Sequence, residues 1–281
     1  GRGWAATIFR PLSSYSGWFA GFSEVNFNLG DTTADPIDDT SALRLRDFSV
    51  RAGGRSDTQQ QHGVRFIGRC DRMIMDSVYF AYLRGTALHF GHMNGDSSTV
   101  AYAREGMISN VEARYCGDDA NARPVVVFDN YGTIAQQDGC NLIVTKRLWV
   151  VFPYHTGIHI VNNNAGGSQT RRLAFNNTLV HGIASVEPSP VTSAPLVHIE
   201  GKVLLSVFRD LWINSHYTGQ YGLQVEANPS GAPSLISFDG GNISTGDGHG
   251  FNFIDGYGYT VDLQLWGQAG TGVTVGSNVT G

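Results

Sequence analysis

Two glutamates occupy matching places in successive copies of one short motif. Glu200 follows Leu196-Val197-His198-Ile199, and Glu226 follows Gly222-Leu223-Gln224-Val225. If the copies are stacked strands, the two residues face the same way with α-carbons ~5 Å apart. Carboxyl groups separated by ~5–5.5 Å suit the general acid and the nucleophile of a retaining glycoside hydrolase. Like charges that close raise one pKa, leaving one protonated acid beside one carboxylate. Rotamers that widen the gap move the pair toward inverting geometry, and two solvated carboxylates fit the same spacing. His159 and His198 hold the position two residues earlier on neighbouring copies. There they could orient a sugar or move a proton, although a lone surface histidine is most often silent.

The same motif gives an outward column: Arg65, His89, Val126, His159, His198, Gln224, Asn252 and Thr274. A second column lies on the intervening strands, with Glu112 and Arg114, then Tyr154 and His155, His181, and Trp212, His216 and Tyr217. Aromatic faces interleaved with polar groups suit sugar rings, whose C–H faces pack on the ring while their hydroxyls bond to side chains. Glu112 with Arg114 fits equally a surface ion pair of little energetic value. Trp212 and Tyr217 fit equally a contact between subunits.

These residues need a scaffold that sets similar strands side by side, and the sequence repeats in that way. The unit is Gly or a small residue followed by apolar–x–apolar. It recurs at Gly63-Val64-Arg65-Phe66, Ala87-Leu88-His89-Phe90, Pro124-Val125-Val126-Val127, Gly157-Ile158-His159-Ile160 and Leu196-Val197-His198-Ile199. Further copies start at Gly222, Gly250 and Gly272, so spacings run from 22 residues (Gly250 to Gly272) to 39 (Gly157 to Leu196). A second alternating run lies between copies, as in Leu45–Val50, Ile108–Ala113 and Phe208–Ile213, with Asp47, Asn110, Asn177 and Asp210 inside such runs. Period-2 patterning marks strands, and Asp or Asn marks a bend that tolerates the left-handed backbone and bonds its own turn.

An uneven repeat of short strands fits one coil of a β-solenoid. A propeller blade needs ~40–45 residues at an even period, and a β-sandwich needs frequent Asn-Gly or Asp-Gly hairpin turns, which are sparse here. The expected fold is therefore all-β: residues 1–281 form one parallel β-helix, truncated at both ends and cut from a longer chain. Val64, Phe66, Leu88, Phe90, Ile158, Ile160, Val197, Ile199, Leu223, Val225, Phe251, Phe253, Val273 and Val275 should point inward in columns. Val126, Leu179 and Trp212 should be outward apolar residues, covered in part by another subunit.

Composition narrows the function. The net charge is −5, and basic residues are scattered, which disfavours a phosphate-tracking groove and so a nucleic-acid partner. No run approaches 18 apolar residues, so no membrane partner is expected. Three cysteines (Cys70, Cys116 and Cys140) without a C-x-x-C pair support neither a disulfide framework nor zinc. The acidic stretch Asp31 to Ser41 misses the EF-hand spacing. No metal site and no cofactor are expected. There is no G-x-S-x-G elbow and no P-loop.

The opening Gly1-Arg2-Gly3-Trp4-Ala5-Ala6-Thr7-Ile8-Phe9-Arg10 and the bends at Asn110 and Asp210 resemble the coil pattern of right-handed parallel β-helix proteins. That is the pectate-lyase-like superfamily, which includes polygalacturonases and phage tailspike depolymerases. Paired N-x-D segments are missing, and Gly248-His249-Gly250 has no such partner. The resemblance implies a tailspike-like homotrimer, placed on a virion tail or outside the cell, that binds bacterial surface polysaccharide. Hydrolysis would fall to Glu200 and Glu226, with His159, His198, Tyr154, Trp212, Glu112 and Arg114 lining the substrate. A polysaccharide lyase would instead need a base and a cation for the uronate, such as Arg114 or Arg65. A non-enzymatic structural or receptor-binding virion protein is the third expectation.

Overall fold

The computed structural model describes residues 7–12, 15–22, 43–53, 59–66, 69–92, 102–130, 140–164, 169–182, 194–215, 220–246, 248–267 and 270–280. Residues 1–6 of the opening motif, the acidic stretch 31–41, and His216 and Tyr217 lie outside them.

The described strands build a parallel β-solenoid of three sheets. The first stacks Ile8–Phe9, Arg44–Arg51, Ile74–Ala81, Met107–Arg114, Val144–Val151, Ala174–His181, Val207–Ser215, Ser237–Thr245 and Thr260–Trp266. The second stacks Gly17–Phe22, Gln61–Phe66, Leu88–His92, Val126–Asn130, Ile158–Asn162, Val197–Gly201, Tyr221–Glu226, His249–Tyr257 and Val273–Thr280. A narrower third sheet runs from Arg69–Asp71 through Tyr102–Arg104, Cys140–Asn141 and Thr170–Arg171 to Val203–Leu204. Each strand pairs in parallel with its counterpart one rung away, so sheet order follows chain order.

The alternation read from the sequence sets the interior. Ile158, Val197 and Leu223 are direct register partners and fully buried. Phenylalanines form two ring stacks inside. Phe66, Phe90 and Phe128 stack at 4.8 and 5.0 Å, and Phe175, Phe208 and Phe238 stack at 4.6 and 5.0 Å. Phe128 meets Phe175 edge-on at 5.4 Å, so the column crosses from the second sheet to the first. Val273 and Val275 depart from expectation and are exposed, since their strand is the outermost described one of its sheet. The small residue of the motif has a steric cause. A Cβ added at Gly63 would lie 2.1 Å from the Ala87 carbonyl oxygen, on the rung above.

Asp47, Asn110, Asn177 and Asp210 do occupy left-handed bends, with φ between 51 and 57°. Ser77 and Arg147 hold the same place on their rungs, with φ of 57 and 60°. Asn110 bonds across rungs rather than within its own turn: its Nδ2 donates to Asp76 Oδ1 at 3.0 Å. A second left-handed column holds Arg72, Glu105, Leu142, Arg172, Leu205 and Leu235, where the third sheet turns into the first. A branched or long side chain costs ~1–2 kcal/mol in this region, so stacking overrides local preference there. Leu205 is half exposed with φ +52°. Leu205→Asn should therefore raise stability by about 1 kcal/mol in urea denaturation.

Candidate functional site

Register decides which outward side chains meet. On the second sheet, Arg65, His89, Val127, His159, His198, Gln224, Asn252 and Thr274 are successive partners. The sequence reading put Val126 in that column. Val126 instead pairs with Leu88 and Ile158 and is fully buried. Three consecutive valines carry no alternation, so that rung's register was open until it was stacked. Two residues along runs a second column, in which Val161, Glu200 and Glu226 are partners and Asp129 lies beside Gly91.

Glu200 and Glu226 are thus direct neighbours, yet each meets a histidine of the rung below. His159 Nε2 lies 3.3 Å from Glu200 Oε2, and His198 Nε2 lies 2.6 Å from Glu226 Oε1. A third diagonal pair has the same form: His89 Nε2 is 2.8 Å from Asp129 Oδ2. That contact has the length but not the alignment of a hydrogen bond. Between the two sets, Val127 and Val161 stand on the rungs where another pair would fall. The result is a ladder of His–carboxylate dyads in which the His159 and His198 rings stack at 4.8 Å with planes 7° apart.

The electrostatics follow from burial and these bonds. The hydrogen bond from His159 holds the Glu200 carboxyl below its ordinary value against the opposing effect of burial, and Asn228 Nδ2, 3.2 Å from Oε1, adds to it. Burial lowers the His159 pKa, and the Glu200 bond offsets only part of that. At neutral pH the pair is an ionised carboxylate beside a neutral imidazole. An ionised carboxylate can only accept, so the His159 Nε2 carries the proton and Nδ1 is the basic nitrogen. This differs from the expected pair of carboxyls sharing one proton: Glu200 finds a donor on the rung below.

A cleft of about 300 Å³ opens beside the ladder. Trp18, His89, Arg123, His155, His159 and His198 line it, with Val127 and Val161 supplying apolar surface. Arg123 arrives on the turn 118–123, closed by backbone bonds in both directions between Asp118 and Arg123. Asp118 is nearly buried, which pushes its pKa up. Bonds from Asn121 and Gln60, and the charge of Arg84, more than offset this and hold it ionised. Burial also lowers the His155 pKa, reinforced by His159.

His62 packs behind the cleft residue Trp18. Its ring stacks on Trp18 at 4.6 Å, and its Nδ1 accepts the Thr86 amide at 3.0 Å. Burial, with the Arg123 charge, lowers its pKa from 6.5 to about 4. The unfolded chain therefore binds a proton that the folded chain refuses. Stability should be full above pH 6.5 and fall as the pH drops toward 4. His62→Gln should flatten that slope in thermal melts taken across pH 4–7.

The other expected site residues lie apart. Trp212 and the ion-paired Glu112 and Arg114 belong to the first sheet, and Tyr154 is buried in the turn after Val144–Val151. The single groove read from the sequence is thus two surfaces. Asp129, Arg123, His62 and Trp18 were not among the expected site residues, and His155, expected on the other surface, lines this cleft; correct placement of Val127 would have revealed Asp129. Cys116 and Cys140 are free and buried, and burial raises both thiols, Cys116 to about 12. His159, His198 and Glu200 set three ligand atoms within 4.8 Å of one another, the one set of described residues that could converge on a metal ion.

No family model matches the chain, and no curated protein matches it. Among solved structures it is similar to ORF18 of Geobacillus virus E2, at 12% identity and a TM-score of 0.42, over 78% of this chain and 49% of that one. The chain spans about half the length of that protein.

Proposed function

We propose that the chain binds an acidic bacterial surface polysaccharide across the second sheet and cleaves it by β-elimination, as part of a virion or extracellular protein. The observation that carries this reading is the His159–Glu200 dyad beside a cleft that also holds Arg123. Both carboxylates of the hydrolase expectation are engaged by histidines, which favours imidazole as the proton-transfer group. Arg123 offsets the uronate carboxylate and acidifies the adjacent C–H. His159 Nδ1 takes that proton, the electron pair forms the C=C bond, and the C–O bond to the next sugar breaks. His198, held by Glu226 at Nε2, serves the leaving oxygen from Nδ1 as an imidazolium, giving up that proton as the C–O bond breaks. Trp18 offers a ring face to the sugar.

Incubation with purified capsule and O-antigen polysaccharides tests this by unsaturated-uronate absorbance and new reducing ends. Both should rise together. Reducing ends without unsaturation would return catalysis to hydrolysis by Glu200 and Glu226. No release from any glycan would favour the non-enzymatic virion reading. The depressed His159 pKa places the acid limb of kcat/KM below pH 6.5, so activity should persist into mildly acidic solution.

A further inference from the structure

The first sheet carries a feature that the cleavage reading does not use. Its outward column runs Tyr79, Glu112, Trp149, Leu179, Trp212, Asn242 and Gln264 as successive register partners. Aromatic rings fall on alternate rungs. The sequence continues in the column two residues along, where His181, Asn214, Ser244 and Trp266 are partners, so Trp266 stands two rungs beyond Trp212. Rungs ~4.8 Å apart put alternate rings ~10 Å apart along the axis, the scale of a disaccharide unit in an extended glycan.

Tyr79 and Trp149 are half-buried, and Arg147 lies over Trp149 at 4.3 Å. Trp212 and Trp266 are 51% and 61% exposed. They bracket a groove of about 290 Å³ whose floor is Asn214, Asn242 and Ser244. Leu179, His181 and Ile213 complete the lining, which holds no carboxylate, lysine or arginine. Asn214 Oδ1 is shielded from solvent and has no hydrogen-bond partner. Two flat apolar faces above amide and hydroxyl groups match a pyranose ring. An acyl chain would want an apolar floor, and a phosphate would want cations.

We infer that Trp212 and Trp266 form a second, non-catalytic glycan site that holds a neutral sugar unit between the two rings, with its hydroxyls bonding to Asn242 and Ser244. The inference rests on the glycan reading above for its class of ligand. It places this contact on a different sheet from the cleft, so one polymer, or two, could be held while the dyads act.

The test uses Trp212→Ala, Trp266→Ala and the double variant. Calorimetric titrations would use purified capsule and O-antigen polymers, with dextran and hyaluronate as neutral and acidic references. Because both rings are exposed, melting temperatures should match the wild type. Each single variant should weaken polymer binding at least tenfold, leave kcat on short fragments unchanged, and reduce the ligand-induced change in tryptophan fluorescence. His159→Ala should do the reverse, abolishing cleavage while polymer still binds. Polymer affinity unchanged in the double variant would overturn the second site alone. No wild-type binding to any polymer would overturn it together with the proposed function. A fall in oligomeric state by sedimentation, with binding intact, would make this face a contact between copies and also overturn it.

Discussion

His159→Ala is expected to lower kcat by about 10²–10⁴-fold, the usual worth of a positioned general base. The structural basis is local. His159 is buried enough to stay neutral at pH 7, and Glu200 fixes which nitrogen carries the proton. Glu200→Gln separates catalysis from positioning. It keeps the size of the side chain but removes the charge that stabilises the imidazolium, so a loss of similar order is expected. Because Glu200 is the main influence raising the His159 pKa, the same variant should also move the acid limb of kcat/KM to still lower pH. Measured pH–rate profiles of the two proteins check this. An unshifted limb with unchanged kcat would remove His159 from the reaction. Asn228→Ala should give a weaker version of the same result, since its amide steadies the second Glu200 oxygen.

Phe208→Ala is expected to cost about 3–5 kcal/mol, the range for truncating a buried aromatic. Phe208 is fully buried in the middle of a stack, 4.6 Å from Phe175 and 5.0 Å from Phe238. Truncation leaves a ring-sized void between two rungs that cannot collapse, because the strands on either side are held at fixed spacing by their ladder bonds. In a stacked repeat each rung depends on its neighbours, so the damage should spread along the axis. Hydrogen exchange should show faster opening in Ala174–His181 and Ser237–Thr245 as well as in Val207–Ser215. Phe208→Leu should recover much of the loss. A cost below about 1 kcal/mol would mean that the stack does not hold the rungs together.

Most of the winding was legible in the residues. Alternation along one strand fixes which side chains face in, because successive residues of a strand point to opposite faces. Ile158, Val197, Leu223 and Phe90 therefore fell where their pattern put them. Asp and Asn inside the alternating runs marked the bends, because both tolerate the left-handed backbone. Arg147, Ser77 and Leu205 gave no such signal. They are left-handed because the rungs above and below dictate the turn.

The sequence by itself determined the coil, its interior columns and the adjacency of Glu200 and Glu226. Only the tertiary structure decided which side chains those carboxylates meet. A dyad such as His159–Glu200 joins residues of different rungs, and the stagger between rungs depends on loops of unequal length and on packing. Alternation within a strand is blind to that stagger: it left Val126 and Val127 interchangeable and kept Asp129 out of view. Arg123 is the extreme case, because the closed turn at Asp118, and no strand, carries it to the cleft. In the other direction, the sequence already put Trp212 on a different strand from Glu200 but could not measure how far apart the two columns lie. Stacking sets them on different sheets, away from one shared cleft.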